Sequence, residues 1–166
     1  MQTARLLALG LVVSLATACA SLESPAPAAP PLASAPAPVA GQDWFYHVDG
    51  DEARLAYGTE ASDDLRLGLS CMRGAGRLEL NAQALGDAGE IHLESGGETE
   101  RFPARSEVSQ LDDGVLLTAE AATAIPVFQR FRRVGWLAHW QDGERHAYAP
   151  HPASAGDIER FFSFCG

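Results

Sequence analysis

The sequence predicts a mainly β protein with two short helices, an α+β arrangement built as an antiparallel sandwich or small barrel in a single domain. Three observations carry this. Short runs of alternating apolar and polar residues recur along the chain, separated by glycine-containing turns. Two later segments switch to the 3.6-residue period of an amphipathic helix. The composition also changes abruptly at Gln42, and the 125 residues from there on suit one modest core.

Trp44–Val48 and Ala53–Tyr57 flank Asp49-Gly50 and read as a hairpin. Leu65–Cys71 alternates strictly, with Leu65, Leu67, Leu69 and Cys71 on one face, and Arg77–Ala82 repeats the pattern through Leu78 and Leu80. Ile91–Ser95 and Glu98–Phe102 flank Gly96-Gly97, while Glu107–Leu111 and Val115–Ala121 flank Asp112-Asp113-Gly114. Glycine at such turns supplies the positive φ that tight hairpins need. A helix follows: Thr123 is placed to cap it, Pro126 suits its first turn and Gly135 its end. Val127, Phe128, Phe131 and Val134 share a face, and Arg130, Arg132 and Arg133 point elsewhere. The hairpin Trp136–Trp140 and Glu144–Tyr148 around Asp142-Gly143 comes next, broken by Pro150 and Pro152. From Ser154 to Cys165, Ile158, Phe161, Phe162 and Cys165 fall at i, i+3, i+4 and i+7, the stripe of a second helix.

Ahead of the domain lie two segments of other kinds. Met1 to Arg5 carries one cation, Leu6 to Ala16 is apolar, and Ala16-Thr17-Ala18 places small side chains before Cys19. A spanning helix needs about 20 apolar residues, so residues 1–18 read as a secretory signal rather than an anchor. Residues 19–41 then hold six of the ten prolines, spaced by Ala and Ser. Such a linker favours extended polyproline II, and about twenty residues at roughly 3.1 Å each span up to ~60 Å. Residues 42–166 are the folded domain.

Charge excludes several roles. The chain has 12 basic and 22 acidic residues, and every basic residue is arginine. Removal of the leader takes Arg5 and leaves 11 basic against 22 acidic residues, about −11. Such a surface repels phosphate backbones and anionic headgroups, so no nucleic acid is expected as a partner. A cationic envelope protein is the electrostatically favoured one.

Cys71 and Cys165 both fall on apolar faces, one of a strand and one of a helix, and an exported domain folds where disulfides persist. A structural disulfide is expected; two separate buried thiols or a redox pair are the alternatives. The closed loop exceeds ninety residues, and closing it contributes roughly 4–5 kcal/mol by chain entropy.

Other residues could carry chemistry. Gly68-Leu69-Ser70-Cys71-Met72 approaches the G-x-S-x-G elbow but lacks its last glycine and its strand-to-helix turn, so Ser70 reads as an outward strand residue. His139 and His146 stand opposite each other if the hairpin pairs simply around Asp142-Gly143; the expected reading is a surface or half-buried pair, with a zinc site completed by His151 or a carboxylate as the alternative. His47, His92 and His151 are scattered. Asp49, Asp51 and Glu52, and separately Asp112 and Asp113, do not fit a calcium loop and read as solvated turns. Arg130, Arg132 and Arg133 complement a helix C-terminus, and Gly74-Ala75-Gly76 is a turn. Trp136, Ala138 and Trp140 share a strand face as core or as a binding platform. No catalytic set converges, so neither enzymatic activity nor a metal or other cofactor is expected.

Three resemblances add expectations. The order of cation, apolar run, small residues and Cys19 resembles the lipobox of bacterial lipoproteins. The resemblance implies cleavage before Cys19, a diacylglycerol thioether on its sulfur and an acyl chain on its amine. Because Ala20 is not the aspartate of inner-membrane retention, it also implies an outer-membrane anchor with the domain in the periplasm. Residues 127–166 resemble a layout of small exported envelope proteins, among them accessory proteins associated with type VI secretion: a helix with Phe131, Gly135, a strand pair and a terminal helix ending in Cys165-Gly166. Leu69-Ser70-Cys71 with Ile91–Phe102 is similar in layout to lipid-anchored inhibitors of C-type lysozyme, which implies inhibition of a cationic cell-wall hydrolase as the alternative function. Their Ser-Ala-Ser-Gly loop has no counterpart here; Ala104-Arg105-Ser106-Glu107 stands in its place.

Several acyl chains, at about 0.8 kcal/mol per buried methylene, make anchoring stable. Cys19→Ala is therefore expected to move the protein from the membrane pellet to the soluble fraction. Mass spectrometry of the native protein is expected to place a tri-acyl adduct on residue 19.

Overall fold

The computed structural model describes residues 35–86, 88–109, 114–141 and 143–166. Cys19, the leader, most of the linker, Asp112 and Asp113 therefore lie outside the described residues. Ten strands and two helices follow one another from Asp43 to Cys165. The first sheet has the order β1-β2-β3-β4-β8-β7, built from β1 (Asp43–Asp49), β2 (Glu52–Gly58), β3 (Leu65–Met72), β4 (Arg77–Ala84), β8 (Val115–Ala122) and β7 (Arg105–Val108). The second has the order β10-β9-β5-β6, built from β10 (Glu144–Tyr148), β9 (Leu137–Gln141), β5 (Glu90–Ser95) and β6 (Glu98–Pro103). Every pairing is antiparallel.

The sheets do not close into a barrel. β1 ends the first sheet and β10 ends the second, and the Trp44 indole N–H reaches across to the Tyr148 carbonyl at 3.1 Å in place of a backbone ladder. Helices fill what the sheets leave open. α1 (Pro126–Val134) lies on β5 and β6, and α2 (Ala155–Cys165) lies on β1 and β2. One continuous core joins all of them. Alternate residues of β2, β3, β4 and β8 meet Phe128 and Phe131 of α1 and Ile158, Phe161 and Phe162 of α2. Trp44, Tyr57, Phe131 and Tyr148 stack at its centre, with Tyr57 and Tyr148 rings 4.5 Å apart. No helix among the described residues is long and apolar enough to cross a membrane.

Four details differ from the sequence expectation, each for a local reason. Leu65 does not join Leu67 and Leu69 inside, because a bulge opposite Tyr57 and Gly58 shifts its register and leaves it half-buried. Thr123 does not cap α1: Ile125 occupies that position, with Pro126 in the first turn, and the Thr123 hydroxyl donates to the Gly166 carbonyl at 2.9 Å. β7 is Arg105–Val108 rather than the expected run starting at Glu107. Arg130 does not point away from the fold: its stem crosses Gly96, where a Cβ would come within 2.9 Å of it, and its guanidinium reaches Glu98 at 3.4 Å. Gly96 is thus required twice, by a φ of +54° and by this close approach.

Cys71 and Cys165 are joined as a disulfide, with Cα atoms 5.7 Å apart and a sequence separation of 94. The turn at Gly74–Gly76 lies against the same helix end. The Gly74 N–H donates to the Phe164 carbonyl at 2.9 Å and the Gly76 N–H to the Cys165 carbonyl at 2.8 Å. Two orphan carbonyls of α2 are satisfied this way. The double variant Cys71→Ser/Cys165→Ser is expected to lose about 4–5 kcal/mol in denaturant unfolding, because the unfolded chain regains the entropy of a long open loop.

Candidate functional site

The hairpin β9–β10 brings His139 and His146 into direct register, as the Asp142-Gly143 turn implies. Their surroundings differ. His139 is 2% exposed, while His146 is exposed on the edge strand, 3.9 Å from Glu144. The Nδ1 of His139 is buried without a hydrogen-bond partner. Burial, then the neighbouring His146 and His92, lowers its pKa from 6.5 to about 4. Among the described residues no group of three His, Cys, Asp or Glu side chains is arranged to hold a metal ion.

On the other face of the same strands, Trp136, Ala138 and Trp140 share a side as the alternation implies. Trp136 and Ala138 form a second small core with Ala149. Trp140 donates its indole N–H to Glu94 at 3.0 Å, and Arg145 grips the same carboxylate through Nε at 2.8 Å and Nη2 at 2.9 Å. These bonds, that from Arg145 first, hold Glu94 below the usual carboxylate range. His92 stacks on Trp140 at 5.8 Å, and Arg145 lies over Trp136 at 5.1 Å. Glu94 thus clamps Trp140 and Arg145 together on this face, while His92 and Trp140 also line a hollow of about 380 Å³ with His139, Glu90 and Arg101.

Two of the three arginines of α1 are similarly spent. Arg132 binds Glu159 of α2 through two nitrogens and drives that carboxyl to about 2. Arg130 meets Glu98, and Arg133 is exposed. At the β1–β2 tip, Asp51 pairs with Arg73 at 3.2 Å and Glu52 with Arg54 at 2.8 Å, so these acids are solvated turn partners.

What remains is the outer face of the six-stranded sheet. Cross-strand register sets Arg54, Ser70, Glu79 and Glu120 in one row and Ala56, Gly68, Asn81 and Thr118 in the next. Ala56 and Gly68 are small, so the sheet surface sinks there into a groove of about 560 Å³. It extends from Glu52 and Arg54 on β2 to Glu107, Val108 and Ser109 beside β7, with Leu65 and Leu116 as apolar walls. Ser70 faces this groove, between Arg54 and Glu79 rather than beside a histidine.

The charges of the groove are unbalanced. Arg54 is held by Glu52. Glu79 accepts only from the Asn81 side chain, at 3.2 Å, and neither Glu79 nor Glu107 has an arginine partner among the described residues. The groove was not legible in the sequence, where Gly68 and Ala56 were strand residues among others. The cue was two small residues on the polar face of neighbouring strands.

The chain matches no protein-family model, no curated protein and no solved structure.

The buried imidazole has a measurable consequence. The unfolded state takes up a proton below pH 6.5 and the folded state only near 4, so the stability of the neutral ring is complete above pH 6.5 and is lost as pH falls towards 4. Between pH 7 and pH 4 the native protein is expected to lose about 3 kcal/mol more than His139→Phe does, measured by denaturant unfolding at both pH values.

Proposed function

We propose that this chain is a lipid-anchored envelope protein whose domain is a non-enzymatic binding module, held off the outer membrane by its proline-rich stalk and facing the periplasm. The bilayer is one partner, through acylated Cys19, and a protein seated on the first sheet is the other. The observation that carries the second half is the groove over Ala56 and Gly68, since Glu79 and Glu107 there are left without counter-ions. Elsewhere among the described residues eight arginines sit in ion pairs, so unpaired acid at a concave surface is the feature that points outward.

Catalysis has less support. The groove holds no imidazole beside Ser70. The buried His139 lies on the second sheet, with its free nitrogen closed off from solvent. Inhibition of a cationic hydrolase through a loop at Ala104-Arg105-Ser106-Glu107 has less support too. Arg105–Val108 is a strand paired with β8, not a projecting loop.

A photo-crosslinking residue at Gln83, inside the groove, is expected to trap a protein in intact cells, while the same residue at exposed Glu100 on β6 does not. Equal products at both positions, or none at Gln83, would overturn the reading.

A further inference from the structure

We infer that the groove takes an extended segment of a partner protein carrying two cationic side chains four residues apart, laid across the strands. The inference rests on the binding-module reading and names the chemistry of its partner.

Two edges of the first sheet compete with its face as docking surfaces, and the β7 edge is a poor one. It is four residues long and carries Arg105 and Glu107, the devices that discourage strand addition. The face differs. Its floor lacks side-chain bulk at Gly68, whose backbone needs no positive φ and where a Cβ would meet only Asn81 and Leu65 at 3.7 Å. An occupant therefore sinks its own side chains into the sheet surface and leaves the backbone ladders intact.

Charge sets what those side chains are. Glu79 on β4 pairs in register with Glu120 on β8, and Glu107 on β7 pairs with Leu116 on β8. The two carboxylates are thus two strand spacings and four residues apart, about 16 Å. An extended chain advances roughly 3.4 Å per residue and returns to the same face every second residue. Cations at i and i+4 are then about 14 Å apart at Cα, and their flexible stems reach both carboxylates. Residue i+2 then lies over Thr118 of β8, the register midpoint between them. Leu65, Leu116 and the 83%-exposed Val108 offer apolar contact to the cation stems. Arg105 shares a strand face with Glu107 but lies outside the groove lining, and no ion pair joins the two.

The probe is a blocked peptide, Arg-Thr-Ala-Thr-Arg, labelled and titrated against the full mature chain in detergent by fluorescence anisotropy. Amide shift mapping locates the contact. Binding is expected to perturb β3, β4, β7 and β8 and to weaken steeply with salt. Glu79→Gln and Glu107→Gln are each expected to weaken it about three-fold, and together about ten-fold, as for exposed ion pairs.

Equal affinity for a peptide with adjacent arginines would overturn the inference, as would affinity unchanged in the Glu79→Gln/Glu107→Gln double variant. Crosslinks at Gln83 in cells without binding of the dicationic peptide would refute this partner chemistry and leave the binding-module reading standing. Absence of those crosslinks would take both down.

Discussion

The end of α2 is the joint on which the rest of the fold depends. Three segments far apart in sequence meet there. The disulfide ties Cys165 to β3, the Gly74–Gly76 turn donates to the last helical carbonyls, and Thr123 donates to Gly166. Arg73 lies over the Phe164 ring at 4.0 Å beside the same joint. With α2 fixed, Ile158, Phe161 and Phe162 stay packed inside the first sheet. At the other end of the helix, Asp43 accepts from the backbone N–H of His151 at 3.0 Å and from the Ser154 hydroxyl, so the start of β1 is clasped to the start of α2. A sheet open at its edges needs such ties, because no ladder closes it.

That arrangement decides which surface is free. One face of the six-stranded sheet is committed to the aromatic core and the helices, so the other face is the large surface left to solvent. The second sheet is different. Trp136 and Ala138 cover its outer face locally, and Glu94 binds Trp140 and Arg145 over it. Charge follows the same division: among the described residues all the arginines but Arg105 and Arg133 are paired with neighbouring acids, and the excess of acid over base is left on the outside. Two of those unpaired carboxylates line the hollow above Gly68.

His139 is the element least reconciled with its surroundings. It occupies a core position of β9 between Leu93 and His146 in register, yet carries a buried ring nitrogen with no partner. The hairpin it belongs to joins the second sheet through three residue pairs, at His92, Leu93 and Glu94. A short ladder, one carboxylate clamp and a neutral imidazole therefore hold that hairpin in place. A buried polar atom left unmade costs more than an average hydrogen bond contributes, which marks this hairpin as the sheet's least secured part.

Local chemistry made most of the fold readable. Glycine turns marked five hairpins, alternation marked Leu67, Leu69 and Cys71 of β3 and Leu78 and Leu80 of β4 as inward, and the periodic apolar stripe of residues 158–165 marked α2 and placed Cys165 inside. The register of His139 against His146 followed from the position of a two-residue turn alone. These features depend on residues near one another in the chain, where period and turn geometry act directly. The groove, the Glu94 clamp, the Arg130–Gly96 contact and the role of Thr123 depend instead on segments tens of residues apart. The amino-acid order by itself determined most of the elements and their inward faces. Only the tertiary structure decided which small residues would lie side by side, which carboxylates would lack an arginine and that the sheets would stay open, because strand order and helix docking set those distances and no local pattern encodes them.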